Sequence, residues 1–241
     1  MTAGNIPAPF DPKYIDFIRR ILSVAETGVP VWNPSASYVY PDGRNGRKQC
    51  TLSIGFTADG GNLRKVLEQY VKLGGVYGPR FAATIALLKG GSAGTGAAFR
   101  NLLAEAGQED PLMMSAQTQM FDTLYLGPAF QWASQHGFAR QLSYLVIADS
   151  FLHSGSMLDS LMNRFAERKP SVGGKEEIWI HDYTNVRRNW LATNARKILH
   201  NTVYRCDCYL TEIKRDNWNL AQAPVIMNGT KVDYGTETEI S

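Results

Sequence analysis

Residues 37–56 read SYVYPDGRNGRKQCTLSIGF, and this stretch decides the fold because it is where the hydrophobic period changes. Ser37 to Tyr40 and Thr51 to Phe56 read as short strands. Between them Pro41-Asp42-Gly43-Arg44-Asn45-Gly46-Arg47 concentrates the residues that favour turns. No other segment reads convincingly as a β ribbon. Upstream, Ile15, Ile18 and Leu22, with Phe17 and Ile21, recur at helical spacing. The spacing predicts an amphipathic helix over Asp11 to Glu26, with Asp11 as N-cap, Pro12 at the first helical position, and Gly28 and Pro30 ending it. Downstream, helical periodicity predicts helices near 61–73, 79–89, 95–106, 112–135, 138–154, 156–168, 175–193 and 196–215. The predicted fold is mainly α with one small antiparallel β element. Two lobes around a cleft are expected, one over about 11–75 with the ribbon and a helical one over about 76–215. Residues 1–10 read as a loose leader and 216–241 as a polar tail.

Composition sets broad bounds. The 241 residues are 44% hydrophobic and 20% charged, with a formal net charge of +3, values of an ordinary globular chain that can bury a core. The longest apolar run, Leu142 to Leu152, is interrupted by Ser143, Asp149 and Ser150, so no membrane insertion is expected. The first twelve residues have neither a basic nor an apolar region of a secretory signal. Cys50, Cys206 and Cys208 are too few for a disulfide scaffold and lack zinc or redox spacing. They read as reduced core thiols, the alternative being a disulfide from Cys50 to one of the pair. No metal, cofactor or nucleic-acid partner is predicted. A phosphate-cradling reading of Lys89 to Gly96 is weak, because a helical pattern precedes the glycines and no Gly-Lys-Ser/Thr closes them.

Two carboxylates lie in unlike settings. Glu26 ends the first helix among Val24, Ala25 and Val29, where desolvation and the negative helix end favour a protonated acid. Asp42 lies in a turn with Arg44 and Arg47, which favour its ionised form. A protonated and an ionised carboxyl held apart in this way suit general acid and general base roles.

Four segments occur in order: SVAETG at 23–28, the ribbon at 37–56, ADSFLHSG at 148–155, and NVRRNWLATN at 185–194 followed by NTVYRCD at 201–207. Together they resemble the family 46 chitosanases of the lysozyme superfamily, over about Phe17 to Glu212. The resemblance implies a glycosidase that inverts at the anomeric carbon, with Glu26 as general acid, Asp42 as general base and Arg44 contacting substrate. It also implies a buried ion network of Asp149, Arg187 and Arg205 that holds the acid, with Arg188 an equal candidate for Arg187. His153 matches by position but reads as a helix-end core histidine. Thr51 positions the attacking water if the Asn45–Gln49 insertion loops outward, and Ser53 is the fallback. Tyr38, with Trp32 and Tyr40, could stack on sugar rings.

Two departures bear on substrate. Where the family places carboxylates that countercharge glucosamine, the sequence has Asn62 and Asn194, and amides supply no countercharge. A charge pair at about 4 Å is worth roughly 4 kcal/mol at an effective dielectric of about 20. With the arginines of the ribbon turn, this favours a β-1,4-linked, N-acetylated, carboxylate-bearing glycan, namely peptidoglycan, over chitosan, the alternative. A non-catalytic glycan-binding domain is the second alternative. Related chitosanase-like domains act as cell-wall toxins delivered by secretion machines. An immunity protein, a secretion-apparatus partner and action outside the cytoplasm are therefore expectations too.

Overall fold

The computed structural model describes residues 11–235. The leader to residue 10 and the end of the tail, 236–241, lie outside the described residues. The chain divides into two compact units, one formed by its beginning up to Val31 together with everything from Thr123 onward, the other by Trp32–Asp122. The expected boundary near residue 75 does not follow this division, for two packing reasons. Helix α2 (Asn62–Lys72) packs on α3 (Gly78–Lys89) and α5 (Pro111–Phe121), so the helices after residue 75 join the ribbon's unit. Helix α1 (Pro12–Thr27) packs instead on α7 (Gln141–Ser154) and on a C-terminal hairpin.

In the Trp32–Asp122 unit the ribbon forms a three-stranded antiparallel sheet of β1 (Ser37–Tyr40), β2 (Gln49–Leu52) and β3 (Phe56–Thr57), in that order, with Tyr38 opposite Thr51. Cys50, Leu52, Ile54 and Phe56 are fully or almost fully buried with Leu63, Val66, Leu67 and Tyr70 of α2. Helix α4 (Ala97–Glu109) packs on α5 and β1. Asp110 caps α5 by accepting from Leu112 N–H at 2.9 Å, and its other oxygen accepts from the Tyr70 hydroxyl at 2.6 Å and Val76 N–H at 2.8 Å. A buried carboxylate with three donors is satisfied where it stands.

In the other unit α1 begins as its sequence dictates. Asp11 accepts from Lys13 N–H at 2.9 Å, Pro12 occupies the first turn, and Gly28 closes the helix in the left-handed region with φ 82°. Helix α7 is central, with every residue from Leu142 to Ser150 buried, and it packs on α6 (Gly127–Gln135), α9 (Glu176–Ala192), α10 (Tyr204–Lys214) and α1. A second antiparallel pair, β4 (Val225–Met227) and β5 (Thr230–Val232), corrects the expectation of a single β element and of a featureless polar tail. It buries Val225, Met227 and Val232 completely, packing on α1 and α10.

Three expected helices differ. The expected helix over 112–135 is interrupted by a π turn at Asp122–Leu126, and α6 restarts at Gly127-Pro128, where proline has no N–H to continue the ladder. The expected 156–168 helix is reduced to α8 (Asp159–Met162), which buries only Leu161 and so has little apolar face to hold more turns. The 196–215 segment splits into a 3-10 turn at Lys197–Thr202, with no buried residue, and α10. All three cysteines are buried free thiols, so the disulfide alternative is not realised. Desolvation raises the Cys50 and Cys206 thiols to about 11. Among the described residues no helix is long and apolar enough to cross a membrane.

Candidate active site

Glu26 lies in the last turn of α1, whose final carbonyls have no partner within the helix. Two donors from α10 supply one: the Tyr204 hydroxyl and Arg205 Nη2 both donate to the Ala25 carbonyl, at 2.6 and 2.9 Å. The same Nη2 donates to Glu26 Oε1. Arg205 is in turn held by Asp149 of α7, whose Oδ1 accepts from Arg205 Nη1 at 2.6 Å while Oδ2 accepts from Arg187 Nη1 of α9 at 2.5 Å. Four helices of one unit therefore converge on a chain of two arginines and two carboxylates. Asp149, Arg187 and Arg205 are at most 3% exposed at the side chain, and Glu26 alone reaches solvent, at 23%. The flanking guanidinium groups hold Asp149 well below the usual carboxylate range despite its burial.

The alternation between Arg187 and Arg188 resolves on helix phase. Arg187 faces the core, whereas Arg188 pairs at the surface with Asp207 at 2.5 Å. Sequence alone gave the neighbouring arginines equal standing, and only the docking of α9 on α7 separates them. The expected apolar setting of Glu26 is corrected: Val29 is 47% exposed, and the carboxylate's principal neighbour is the Arg205 guanidinium. His153 is half-buried against this network, accepting from Arg187 Nη2 at 3.3 Å through Nδ1, which assigns the proton to Nε2. Burial first, then the charge of Arg205, lowers its pKa to about 4, so the ring is neutral near pH 7. It is thus a network neighbour more than a plain core histidine.

In the other unit Asp42 is exposed at the tip of the ribbon, and its Oδ1 accepts from Gln49 Nε2 at 3.2 Å. Gln49 is buried, and its Oε1 accepts from Asp59 N–H at 2.8 Å, so one amide ties two turns together. Of the two arginines expected to favour an ionised Asp42, only Arg47 commits its side chain elsewhere. Arg47 pairs with Asp59, and the Arg44 backbone N–H donates to Asp59 Oδ2 at 2.7 Å. The Arg47 hydrogen bond, with that of Arg44 N–H, lowers the Asp59 carboxyl to about 2. Gly43 makes this geometry possible, since a Cβ there would meet Asp59 Oδ2 at 2.5 Å and the Arg47 carbonyl at 2.8 Å. Sequence reasoning missed both Gln49 and Asp59. Gln49 had no signal beyond its place at a strand start, and Asp59-Gly60-Gly61 reads as turn chemistry.

The insertion after Arg44 does loop outward, with Asn45 at φ 56° and residues 44–48 all exposed. Thr51 Oγ1 and Ser53 Oγ are buried hydroxyl oxygens without a hydrogen-bond partner among the described residues, so both water-positioning candidates persist. Tyr38 and Tyr40 project from β1, 47% and 53% exposed, with stacked rings 6.0 Å apart. Trp32 is buried and so is withdrawn from any sugar contact. Asn62 opens α2, half-buried. Asn194 follows α9, where its side-chain oxygen accepts from Arg196 N–H at 3.0 Å and its carbonyl bonds His200 Nε2 at 2.8 Å, a turn-building use of the residue.

A mostly helical fold with small antiparallel sheets carries a solvent-reaching carboxylate clamped by a buried ion network, and the family match makes the chain a glycoside hydrolase. The model of glycosyl hydrolase family 46 matches residues 20–225, and the chain belongs to that family. Its fold is that of family 46 chitosanases. The native chitosanase of Bacillus subtilis MY002 is 21% identical with a TM-score of 0.78, covering 93% of this chain and 100% of that one. A mutant of that enzyme complexed with 6 GlcN gives the same values. The Gynuella sunshinyii chitosanase in complex with chitotetraose is 20% identical with a TM-score of 0.77, covering 92% and 97%. No curated protein matches the chain significantly by sequence.

Proposed function

We propose that the chain is an inverting endo-hydrolase of β-1,4-linked aminosugar polymers, with chitosan as the polymer cut, Glu26 the general acid and Asp42 the general base. The observation that carries this reading is the ion network that presents Glu26 as its single solvent-reaching member. Arg205 engages Oε1, which leaves Oε2 to carry the proton to the glycosidic oxygen. Asp42, exposed and oriented by Gln49, takes a proton from water, with Thr51 as the first candidate to orient that water and Ser53 as the fallback. Inversion follows when acid and base serve opposite faces of the sugar. Chitosan is favoured by family membership and by the glucosamine oligomers bound to two of the similar structures. The same reading carries the expectation that the enzyme acts outside the cytoplasm.

A second reading, peptidoglycan, is favoured by one specific observation: an amide, Asn62, opens α2 where the resemblance predicts a carboxylate. An immunity protein and a secretion partner belong to that reading alone. The test gives chitosan and purified sacculi, side by side, to the native protein and to Glu26→Gln. The expected result is release of glucosamine oligomers by the native protein and a loss of about 10²- to 10⁴-fold in the folded variant, the usual worth of a general acid. A variant that keeps near-native rates contradicts the assignment of Glu26. Muramic acid reducing ends released from sacculi would establish the second reading.

A further inference from the structure

The Trp32–Asp122 unit carries a basin of about 550 Å³ beside the turn that holds Asp42. Its charged lining is Arg44, Arg47, Arg64 and Lys89 against a single carboxylate, Asp59, and Gly60 and Gly61 also line it. Asp59 is consumed by Arg47, which also donates to the Gly91 carbonyl at 3.0 Å. Behind the wall Glu68 takes Arg64 Nη1 at 2.8 Å and Lys89 Nζ at 3.4 Å. With Glu68 included, the basin retains two positive charges in excess. The Arg44 guanidinium has no hydrogen-bond partner among the described residues, and Lys89 is 60% exposed. Helix α2 starts immediately behind the glycines with no side-chain cap, which adds the positive end of its dipole to the same wall.

Such a basin repels an ammonium and attracts an oxyanion. Its volume lies within the roughly 300–1,000 Å³ of small-molecule sites, far more than one free ion fills. We propose that it is an acid-recognising subsite that takes the carboxylate of an acidic aminosugar residue in the glycan, with Arg44, Arg64 and Lys89 as its donors. The proposal rests on the reading that the chain binds an aminosugar polymer. It extends the substrate class from chitosan to strands that alternate neutral and acidic residues. A polycation gains nothing in the basin, whereas a sugar carboxylate gains ion pairs there. The Arg44 donor follows Asp42 by two residues, so acid recognition and the candidate base share one turn.

The test uses the full chain and a matched pair of disaccharides, N-acetylglucosaminyl-N-acetylmuramic acid and N,N′-diacetylchitobiose, with inorganic phosphate as a third probe, each titrated by calorimetry or protein NMR. The acidic disaccharide is expected to bind about tenfold more tightly than its neutral counterpart. That margin should shrink when salt is raised from about 50 mM to about 500 mM. An Arg64→Gln, Lys89→Gln double variant with a native unfolding midpoint should lose the margin, and an Arg64→Lys, Lys89→Arg double variant should keep part of it. Equal affinities, a margin that survives the double variant, or phosphate that binds as tightly as the acidic disaccharide each overturn the proposal. Chitosan cleavage is read on the same preparation. Cleavage without an acid margin refutes the basin and leaves the glycosidase reading, and an acid margin without chitosan cleavage does the reverse.

Discussion

At the scale of single residues, the position of Asp149 shows how the site is held. Among the described residues it alone pairs with both buried arginines, and its side chain is fully buried. Removing one partner of a buried ion pair leaves the other uncompensated and typically costs about 3–5 kcal/mol. Asp149→Asn is expected to lose stability of that order in urea unfolding and to reduce activity by releasing Arg205 from Glu26. Arg188→Gln, which breaks only an exposed pair, should change stability by less than about 1 kcal/mol. Equal effects from the two variants would refute the distinction drawn between the arginines. The grouping of Glu26 with Asp149, Arg187 and Arg205 was expected from motifs in order, and the structure brings these four side chains together. The partners of Asp42 were not legible in the sequence, since which of two nearby acids an arginine meets depends on a side-chain approach that only Gly43 permits.

At the scale of elements, the legible parts are those whose ends are chemically marked. Helix α1 has Asp11, Pro12 and Gly28 at its boundaries, and the strands of the ribbon flank an unmistakable turn. The break at the π turn was hidden because apolar residues continue through it, and period alone does not reveal a missing N–H until Pro128 is weighed. The β4–β5 hairpin was missed because three-residue strands among polar neighbours carry almost no periodic signal. Its packing nonetheless matters to α1. Met227 is fully buried and Ile226, its neighbour, is 42% exposed. Met227→Ala is expected to cost about 2–4 kcal/mol and Ile226→Ala less than about 1 kcal/mol in the same unfolding assay. Similar small costs for both would show that the hairpin is not part of the core.

At the scale of the molecule, its acid response follows from three groups of known sign. His153 binds a proton near 6.5 when unfolded but only near 4 when folded, so the stability it contributes is complete above 6.5 and is lost as pH falls toward 4. Asp59, lowered from 3.8 to about 2, and Asp149, lowered further, lose theirs as pH falls below the ordinary carboxylate range. The unfolding midpoint should therefore fall on acidification below about 6.5. His153→Gln should flatten the slope between about 6.5 and 5 whatever its effect on the midpoint itself. An unchanged slope would remove His153 from the network. Catalysis as proposed turns on a protonated and an ionised carboxyl acting in one displacement. Its most direct test is proton NMR of the first products released from a chitosan oligomer. New reducing ends are expected to appear first as the α anomer, inverted from the β linkage, and products that appear first as the β anomer would contradict the inverting mechanism.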